Sequence, residues 1–145
     1  MVDEVVLATK VASVRDAVER IRSVLPANRD AFVADRSARE IVILNLFVAL
    51  QECVALAAHW LADAGLDVPT GYRQMFPALA ERGLLDRALA DRLAGATGLR
   101  NLVAHRYGVL DWARVHTMAS TQLDDLLTFC EALARRTAEE GGTGS

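Results

Sequence analysis

The sequence predicts an all-α protein, an up-and-down helical bundle with one extra short helix. The chain of 145 residues is rich in Ala, Leu and Arg, which favour helices, and contains only 3 Pro. Apolar residues recur at helical spacing over several long stretches. Short loops join these stretches, as in a bundle whose consecutive helices pack side by side.

The first helix is predicted over residues 3–25, where Val, Ile and Leu recur every three or four positions with Arg and Glu between them. Pro26 ends it, because proline cannot continue a helical hydrogen-bond ladder. Residues 28–35 form a short polar stretch that could provide a cap. No regular element is expected there.

The second helix is predicted over residues 38–64 and is apolar on nearly all sides. Ser37 and Glu40 have the spacing of a capping box at its start. Gly65 ends it. A helix without a polar face has to be covered by more than one neighbour, so this helix should lie at the centre of the bundle.

Three further helices follow the loop at residues 66–71. A short helix is predicted over 72–81. The next begins at residue 85 or 86 and continues to 105, with a break at Gly108, and the last covers 111–137.

Length and composition favour one domain over residues 1–140, followed by a disordered Gly-rich tail over 141–145. Hydrophobic residues make up 52% and charged residues 24% of the chain, as in ordinary globular proteins. The net charge of −3 argues against a generally basic nucleic-acid-binding surface. An RNA would therefore have to bind at a local positive patch.

The two cysteines and the hydropathy pattern indicate a reducing, cytoplasmic setting. Cys53 and Cys130 lie in apolar stretches without a CxxC spacing, which favours two buried thiols over a disulfide scaffold or a zinc site. No basic secretory leader is visible. No uninterrupted apolar run reaches the roughly 18 residues that a membrane span requires.

Two histidines are assigned structural positions. His59, in the apolar second helix, is interpreted as a core or interface histidine, and His116 as a surface residue of the last helix. The spacing of these histidines and His105 does not fit a metal site. No metal or other cofactor is predicted.

The segment 98–107 carries the candidate chemistry. At about 100° per residue, Asn101 and His105 share one helix face, whereas Arg100 and His105 lie about 140° apart. The long Arg100 side chain can still bend around the helix end. This polar face is unexpected on a helix that otherwise follows an apolar stripe.

These residue types suit cleavage of RNA. A histidine such as His105 can act as base towards the ribose 2′-OH or as acid towards the leaving oxygen. Arg100 can stabilise the negative charge that develops around phosphorus, and Asn101 can orient the histidine or hold a phosphate oxygen. A carboxylate cluster for magnesium is not apparent, so a metal-independent mechanism is preferred. A structural hydrogen-bonded pair remains the alternative.

The pattern Arg100-Asn101-x-x-x-His105-x-Tyr107 resembles the R-x4-H-x-Y motif of the HepT toxins in the HEPN superfamily. The similarity extends over almost the whole chain, including residues 50–59 as the second helix and 72–79 as the short middle helix. The fold that it implies is the HEPN four-helix bundle with an extra short helix.

The resemblance also implies function. Family members are homodimers that bring two Arg/His motifs into one cleft and act as metal-independent endoribonucleases in toxin–antitoxin pairs. Their partner is a minimal nucleotidyltransferase antitoxin that transfers AMP onto the motif tyrosine, here Tyr107. Transfer RNA is a substrate suggested by the family, and messenger RNA stays open. Two alternatives remain, a non-catalytic nucleotide- or substrate-binding companion of a nucleotidyltransferase and a purely structural helical dimer.

Overall fold

The computed structural model describes residues 4–99 and 110–143, which contain seven α-helices and no strand. In chain order these helices are α1 (Glu4–Val24), α2 (Arg29–Ala34), α3 (Arg36–Asp63), α4 (Tyr72–Glu81), α5 (Arg87–Ala96), α6 (Trp112–Thr121) and α7 (Leu123–Thr143). The predicted all-α fold class is confirmed. The extra short helix, α4, has the bounds that the sequence predicts.

Two ion pairs show the relative directions of the three long helices. Lys10, near the start of α1, pairs with Glu52 in the second half of α3 at 3.5 Å. Arg22, near the end of α1, pairs with Asp124 at the start of α7 at 2.6 Å. Helix α1 therefore runs antiparallel to both α3 and α7. Its contact with α3 is the most extensive in the described part of the bundle.

The apolar core is one continuous cluster to which all seven helices contribute. Phe129 of α7 lies at its centre, with ring centroids 6.0 Å from Trp60 of α3 and 5.2 Å from Phe76 of α4. The apolar stripe predicted for the fourth helix is buried over the described residues. Its buried members are Leu85, Leu89, Leu93, Ala96 and Leu99.

Helix α3 is the core helix of this bundle. Among the described residues it is the one helix long and apolar enough to cross a membrane, but half of its most apolar window is buried inside the protein. Ala49 and Ala57 are fully buried, which allows close packing against its neighbours. The composition of α3 thus reflects its central position rather than a membrane span.

The start of α3 differs from the predicted capping box. Asp35, not Ser37, is the N-cap, and its Oδ1 accepts a hydrogen bond from the Ala38 amide at 3.1 Å. Glu40 accepts from Arg36 Nε at 2.9 Å instead of closing the box. A carboxylate at the cap also interacts favourably with the positive end of the helix dipole, which favours Asp over Ser.

The polar stretch 28–35 contains helix α2, which the sequence analysis does not predict. Asn28 caps it, accepting a hydrogen bond from the Ala31 amide at 2.9 Å. Phe32 is its one buried residue and is fully enclosed. A helix of this length has no periodicity to detect, and it depends on burial of that single ring.

The predicted last helix, over 111–137, is two helices that meet at Gln122. Near the end of α6, the hydroxyl groups of Thr117, Ser120 and Thr121 each donate to the carbonyl four residues earlier. Such bonds compete with the helical ladder and favour a break. Helix α7 then continues to Thr143, into the region predicted as a disordered tail.

Candidate functional site

Arg100, Asn101, His105 and Tyr107, the residues predicted to carry the chemistry, lie outside the described residues. Both ends of their segment are described, at Leu99 and at Leu110. These two leucines are 4% and 8% exposed. The segment that carries the motif therefore starts and ends at the apolar core.

The upstream end differs from the continuous helix that the sequence predicts. Helix α5 stops at Ala96, and Thr97 forms a turn before residues 98–99 become helical again. The Thr97 hydroxyl donates to the Ala94 carbonyl at 2.6 Å, and the side chain is buried. The Thr97 amide still donates to the Leu93 carbonyl at 3.2 Å, and the hydroxyl bond competes with the helical ladder at this turn. The prediction of one unbroken helix from 85 or 86 to 105 is therefore wrong at Thr97.

A bidentate ion pair orients α5 as it approaches the motif. Arg92 donates through Nε and Nη2 to the two carboxylate oxygens of Asp125 on α7, at 3.0 and 3.1 Å. The hydrogen bonds to Asp125 raise the pKa of the Arg92 guanidinium further above its ordinary value. Two parallel bonds constrain both distance and angle, so α5 is held in a defined orientation on α7.

The downstream end leads directly into α6. Asp111 caps this helix by accepting a hydrogen bond from the Arg114 amide at 3.2 Å. Trp112 is the first residue of α6, and its ring meets the edge of Phe32 at a centroid distance of 6.3 Å. The end of the motif segment is therefore attached to α2.

His116 belongs to the same aromatic cluster, and its predicted surface position is wrong. It is 7% exposed, and its Nε2 donates to the Pro26 carbonyl at 2.8 Å. Its ring lies 5.5 Å from that of Phe32. The hydrogen bond offsets the cost of burying the imidazole, which is why a polar residue occupies a core position.

Arg39 contacts the first residue of α6, and the sequence analysis does not single it out. Its guanidinium carbon lies 5.1 Å from the centre of the Trp112 ring, and its Nε is buried without a hydrogen-bond partner among the described residues. The only signal in the sequence is a cation in the second turn of a helix that is otherwise apolar. Its proximity to α6 depends on tertiary packing.

His59 and Glu52 lie on α3, away from this cluster. His59 is exposed, so the core half of its predicted role is wrong and the interface half stays a prediction. Glu52 pairs with Lys10, the single lysine of the chain.

The two cysteines are buried, as predicted, and they also meet. The thiols of Cys53 on α3 and Cys130 on α7 lie close enough to interact. The interaction with Cys130, together with burial, raises the pKa of Cys53. The interaction with Cys53 lowers the pKa of Cys130, and the Arg15 charge acts in the same direction. The pair is part of the core.

The described groups beside the downstream end of the motif segment are a guanidinium and an aromatic ring. Within the part of the chain that the structure describes, no three His, Cys, Asp or Glu side chains come together as ligands. Arg39 and Trp112 instead place a guanidinium and an aromatic ring close to the downstream end. Such groups bind phosphates and stack on bases.

The fold and this region together define an all-helical bundle protein in which a segment bearing Arg, Asn, His and Tyr joins two buried helix ends. Comparison with known families identifies it further. Residues 14–133 match the profile of the family described as "Ribonuclease HepT-like". The chain belongs to this family.

Two relatives support the assignment. The mRNA nuclease HepT of Shewanella oneidensis is 28% identical over 128 residues, which is 88% of this chain and 96% of the relative. A putative RNase of Archaeoglobus fulgidus is 30% identical over 94 residues, 65% of this chain and 70% of its own length.

Solved structures with the same fold come from toxin–antitoxin complexes. The tri-AMPylated Shewanella oneidensis HEPN toxin, in complex with its MNT antitoxin, matches with a TM-score of 0.82 and 28% identity, covering 90% of this chain and 97% of the toxin. A toxin–antitoxin structure with AMP-PNP matches with a TM-score of 0.83 and 27% identity, covering 90% and 98%.

Proposed function

We propose that this protein is a metal-independent endoribonuclease toxin whose catalytic residues are Arg100 and His105, assisted by Asn101. The observation that carries the proposal is the HepT-like ribonuclease match over residues 14–133, which includes the whole motif segment. The net charge of −3 makes a local site, rather than a broad basic surface, the place for RNA.

The chemistry follows from the residue types. His105 takes the proton of the ribose 2′-OH, whose oxygen attacks the adjacent phosphorus. Arg100 stabilises the charge on the phosphoryl oxygens, and Asn101 holds the imidazole or one of those oxygens. The bond to the 5′ oxygen then breaks, and that oxygen receives a proton from a histidine. If two subunits contribute, one His105 can act as base and the other as acid.

A homodimer supplies that second histidine. Leu44 of α3 is 62% exposed, and Val48 and Ala55, at helical spacing from it, are partly exposed. His59 continues the same face. An apolar stripe on a core helix supports burial against a second copy, because a monomer would leave it in water.

The proposed partner is a minimal nucleotidyltransferase antitoxin, which would transfer AMP onto Tyr107 in the cytoplasm. The solved relatives are toxins described as tri-AMPylated or as complexed with an antitoxin, which supports this assignment. Phosphates added beside Arg100 and His105 would repel RNA and occupy their donors. Messenger RNA is the first substrate to test, since one relative is named an mRNA nuclease, and transfer RNA is the second.

Replacement of His105 by alanine tests the proposal. We expect His105→Ala and Arg100→Ala to lower the RNA cleavage rate by a factor of about 100 to 1,000, the usual effect of removing a general base or a charge-stabilising donor. The measurement is cleavage of messenger and transfer RNA by the purified protein, with and without EDTA. Wild-type cleavage should persist in EDTA.

Arg82→Ala is the control, because it removes an exposed basic residue at the end of α4, outside the motif sequence and outside the face of α3 proposed for the dimer. It should cleave at the wild-type rate. Undiminished cleavage by His105→Ala would contradict the catalytic assignment. Tight nucleotide binding by a wild-type protein that never cleaves RNA would favour the non-catalytic companion instead.

A further inference from the structure

Two buried thiols meet in the core where α3 packs against α7. Cys53 and Cys130 are both fully buried and belong to one apolar cluster. Phe129, the residue before Cys130, packs on Trp60 of α3 at a centroid distance of 6.0 Å, and the two thiols lie close enough to interact. A disulfide forms only between sulfurs that the fold already brings together. The core therefore holds a dithiol whose members are far apart in the sequence.

An open groove on the surface lies beside Cys130. It has a volume of about 290 Å³ and runs between α1 and α7, because all of its lining residues belong to these two helices. Leu127 and Glu131, which line it, stand one turn before and directly after Cys130. Leu127 is only partly buried and packs against the core. The groove therefore ends at the helix turn that carries Cys130.

The surroundings make Cys130 the more acidic thiol of the pair. The interaction with Cys53 lowers the pKa of Cys130, and the charge of Arg15, which also lines the groove, acts in the same direction. The interaction with Cys130, together with burial, raises the pKa of Cys53. Because the thiolate is the nucleophile, Cys130 is the sulfur that reacts first with an oxidant, and Cys53 remains a thiol beside it.

We propose that Cys130 and Cys53 are a redox-active pair that hydrogen peroxide, entering through this groove, converts to a disulfide between α7 and α3. Hydrogen peroxide is little larger than water, so a rotamer change of Leu127 is enough to admit it. In a reducing compartment such a disulfide is transient, and a thiol reductant restores the dithiol. The reaction needs only the folded chain and the oxidant, so it does not depend on the proposed ribonuclease function.

The reaction has two steps. The Cys130 thiolate attacks one oxygen of the peroxide, the O–O bond breaks, and the departing hydroxide takes up a proton to become water. Cys130 is then a sulfenic acid, oxidised by two electrons. The Cys53 sulfur attacks the Cys130 sulfur, the S–O bond breaks, and the hydroxyl leaves as water with the proton of the Cys53 thiol. Two thiols and one peroxide give one disulfide and two waters.

Peroxide treatment of the purified, folded protein tests the proposal. We expect both free thiols to disappear, the mass of the chain to fall by two hydrogen atoms, and proteolysis to release a peptide pair linked through Cys53 and Cys130. Dithiothreitol should restore both thiols. This measurement uses the wild-type chain, so it does not depend on the folding of a variant. Thiols that survive peroxide, or that link only between chains, overturn the proposal.

Dimedone, a reagent that labels sulfenic acids, assigns the roles of the two thiols. Cys53→Ser removes the second thiol, so peroxide should leave a sulfenic acid on Cys130 that dimedone labels. Cys130→Ser should stay unlabelled, because burial keeps the Cys53 thiol protonated. Labelling of Cys53 in place of Cys130 would contradict the assignment of Cys130 as the thiol that reacts first.

The route of the oxidant has its own test. Leu127→Ala widens the passage from the groove and should speed the loss of thiols severalfold. Leu84→Ala is the matched control, because Leu84 is likewise a partly buried leucine packed against the core but lies outside the groove, before α5. Equal rates of thiol loss in the two variants would overturn entry through the groove.

Discussion

Single side chains attach the two ends of the motif segment to the bundle. Upstream, Arg92 donates two hydrogen bonds to the carboxylate of Asp125. Downstream, Trp112 packs against Phe32, which also contacts the buried His116 ring. These contacts join α5 to α7 and α6 to α2.

Tyr107 and Tyr72 are the two tyrosines of the chain, and they allow a residue-scale test of modification. We expect incubation with the cognate nucleotidyltransferase and ATP to add AMP to wild type and to Tyr72→Phe, since Tyr72 is 39% exposed but lies outside the motif. Tyr107→Phe lacks the acceptor hydroxyl and should gain no AMP. Intact-protein mass spectrometry measures the change, and AMP on Tyr107→Phe would refute the assignment.

Capping residues at the helix ends determine where several helices of this fold begin and end. Asn28, Asp35, Asp86 and Asp111 each accept a hydrogen bond from an amide in the first turn of the following helix. At the carboxyl ends, Gly65 and Gly83 adopt positive φ values of 75° and 71°. Glycine at Gly65 was predicted as the stop of the second helix, and the structure confirms it.

Gly83 and Gly95 should respond to alanine in opposite directions. Space for a Cβ is open at both, so backbone conformation decides the outcome. Gly83→Ala should lower the free energy of unfolding by about 1–2 kcal/mol, because φ is 71° there. Gly95→Ala, inside α5, should raise it by about 0.5–1 kcal/mol.

Urea denaturation of the two glycine variants provides the measurement, and each serves as the control for the other. Equal shifts of the same sign would show that the conformation at Gly83 does not limit stability. The denaturant slope should stay unchanged in both, since neither substitution alters the surface exposed on unfolding.

At the scale of the whole molecule, the exposed part of α3 is unusual. Among the described helices α3 contributes the most residues to the core, yet its Leu44 is 62% exposed. An exposed leucine on a core helix fits a protein that buries this face against another molecule. The proposed cleft with two His105 residues depends on such a dimer.

Leu44→Asp should therefore dissociate the dimer. A charge at a buried dimer contact should raise the dissociation constant by about tenfold or more, whereas the monomer should stay folded because Leu44 is exposed there. Sedimentation equilibrium measures the constant. Val68→Asp, at a 42% exposed position in the loop before α4, is the control and should remain dimeric. A wild-type protein that sediments as a monomer would contradict the proposal.

Local patterns in the sequence account for much of the fold. Apolar periodicity predicts α1, α3, α4 and the start of α5, because it depends on neighbours within one or two turns. The breaks at Thr97 and Gln122 were not predicted, since hydroxyl bonds to the backbone compete with helical bonds by small energies. Helix α2 was missed because one buried ring stabilises it.

The sequence by itself determined the all-helical class, the central position of α3 and the residue types of the motif, Arg100 and His105 among them. Only the tertiary structure decided that Arg39 lies on Trp112, that His116 is buried and that the two thiols meet. The physical reason is how far apart in the sequence the interacting residues lie. Helix formation and capping depend on residues a few positions apart, whereas these contacts join helices distant in the chain and exist only once the core has packed.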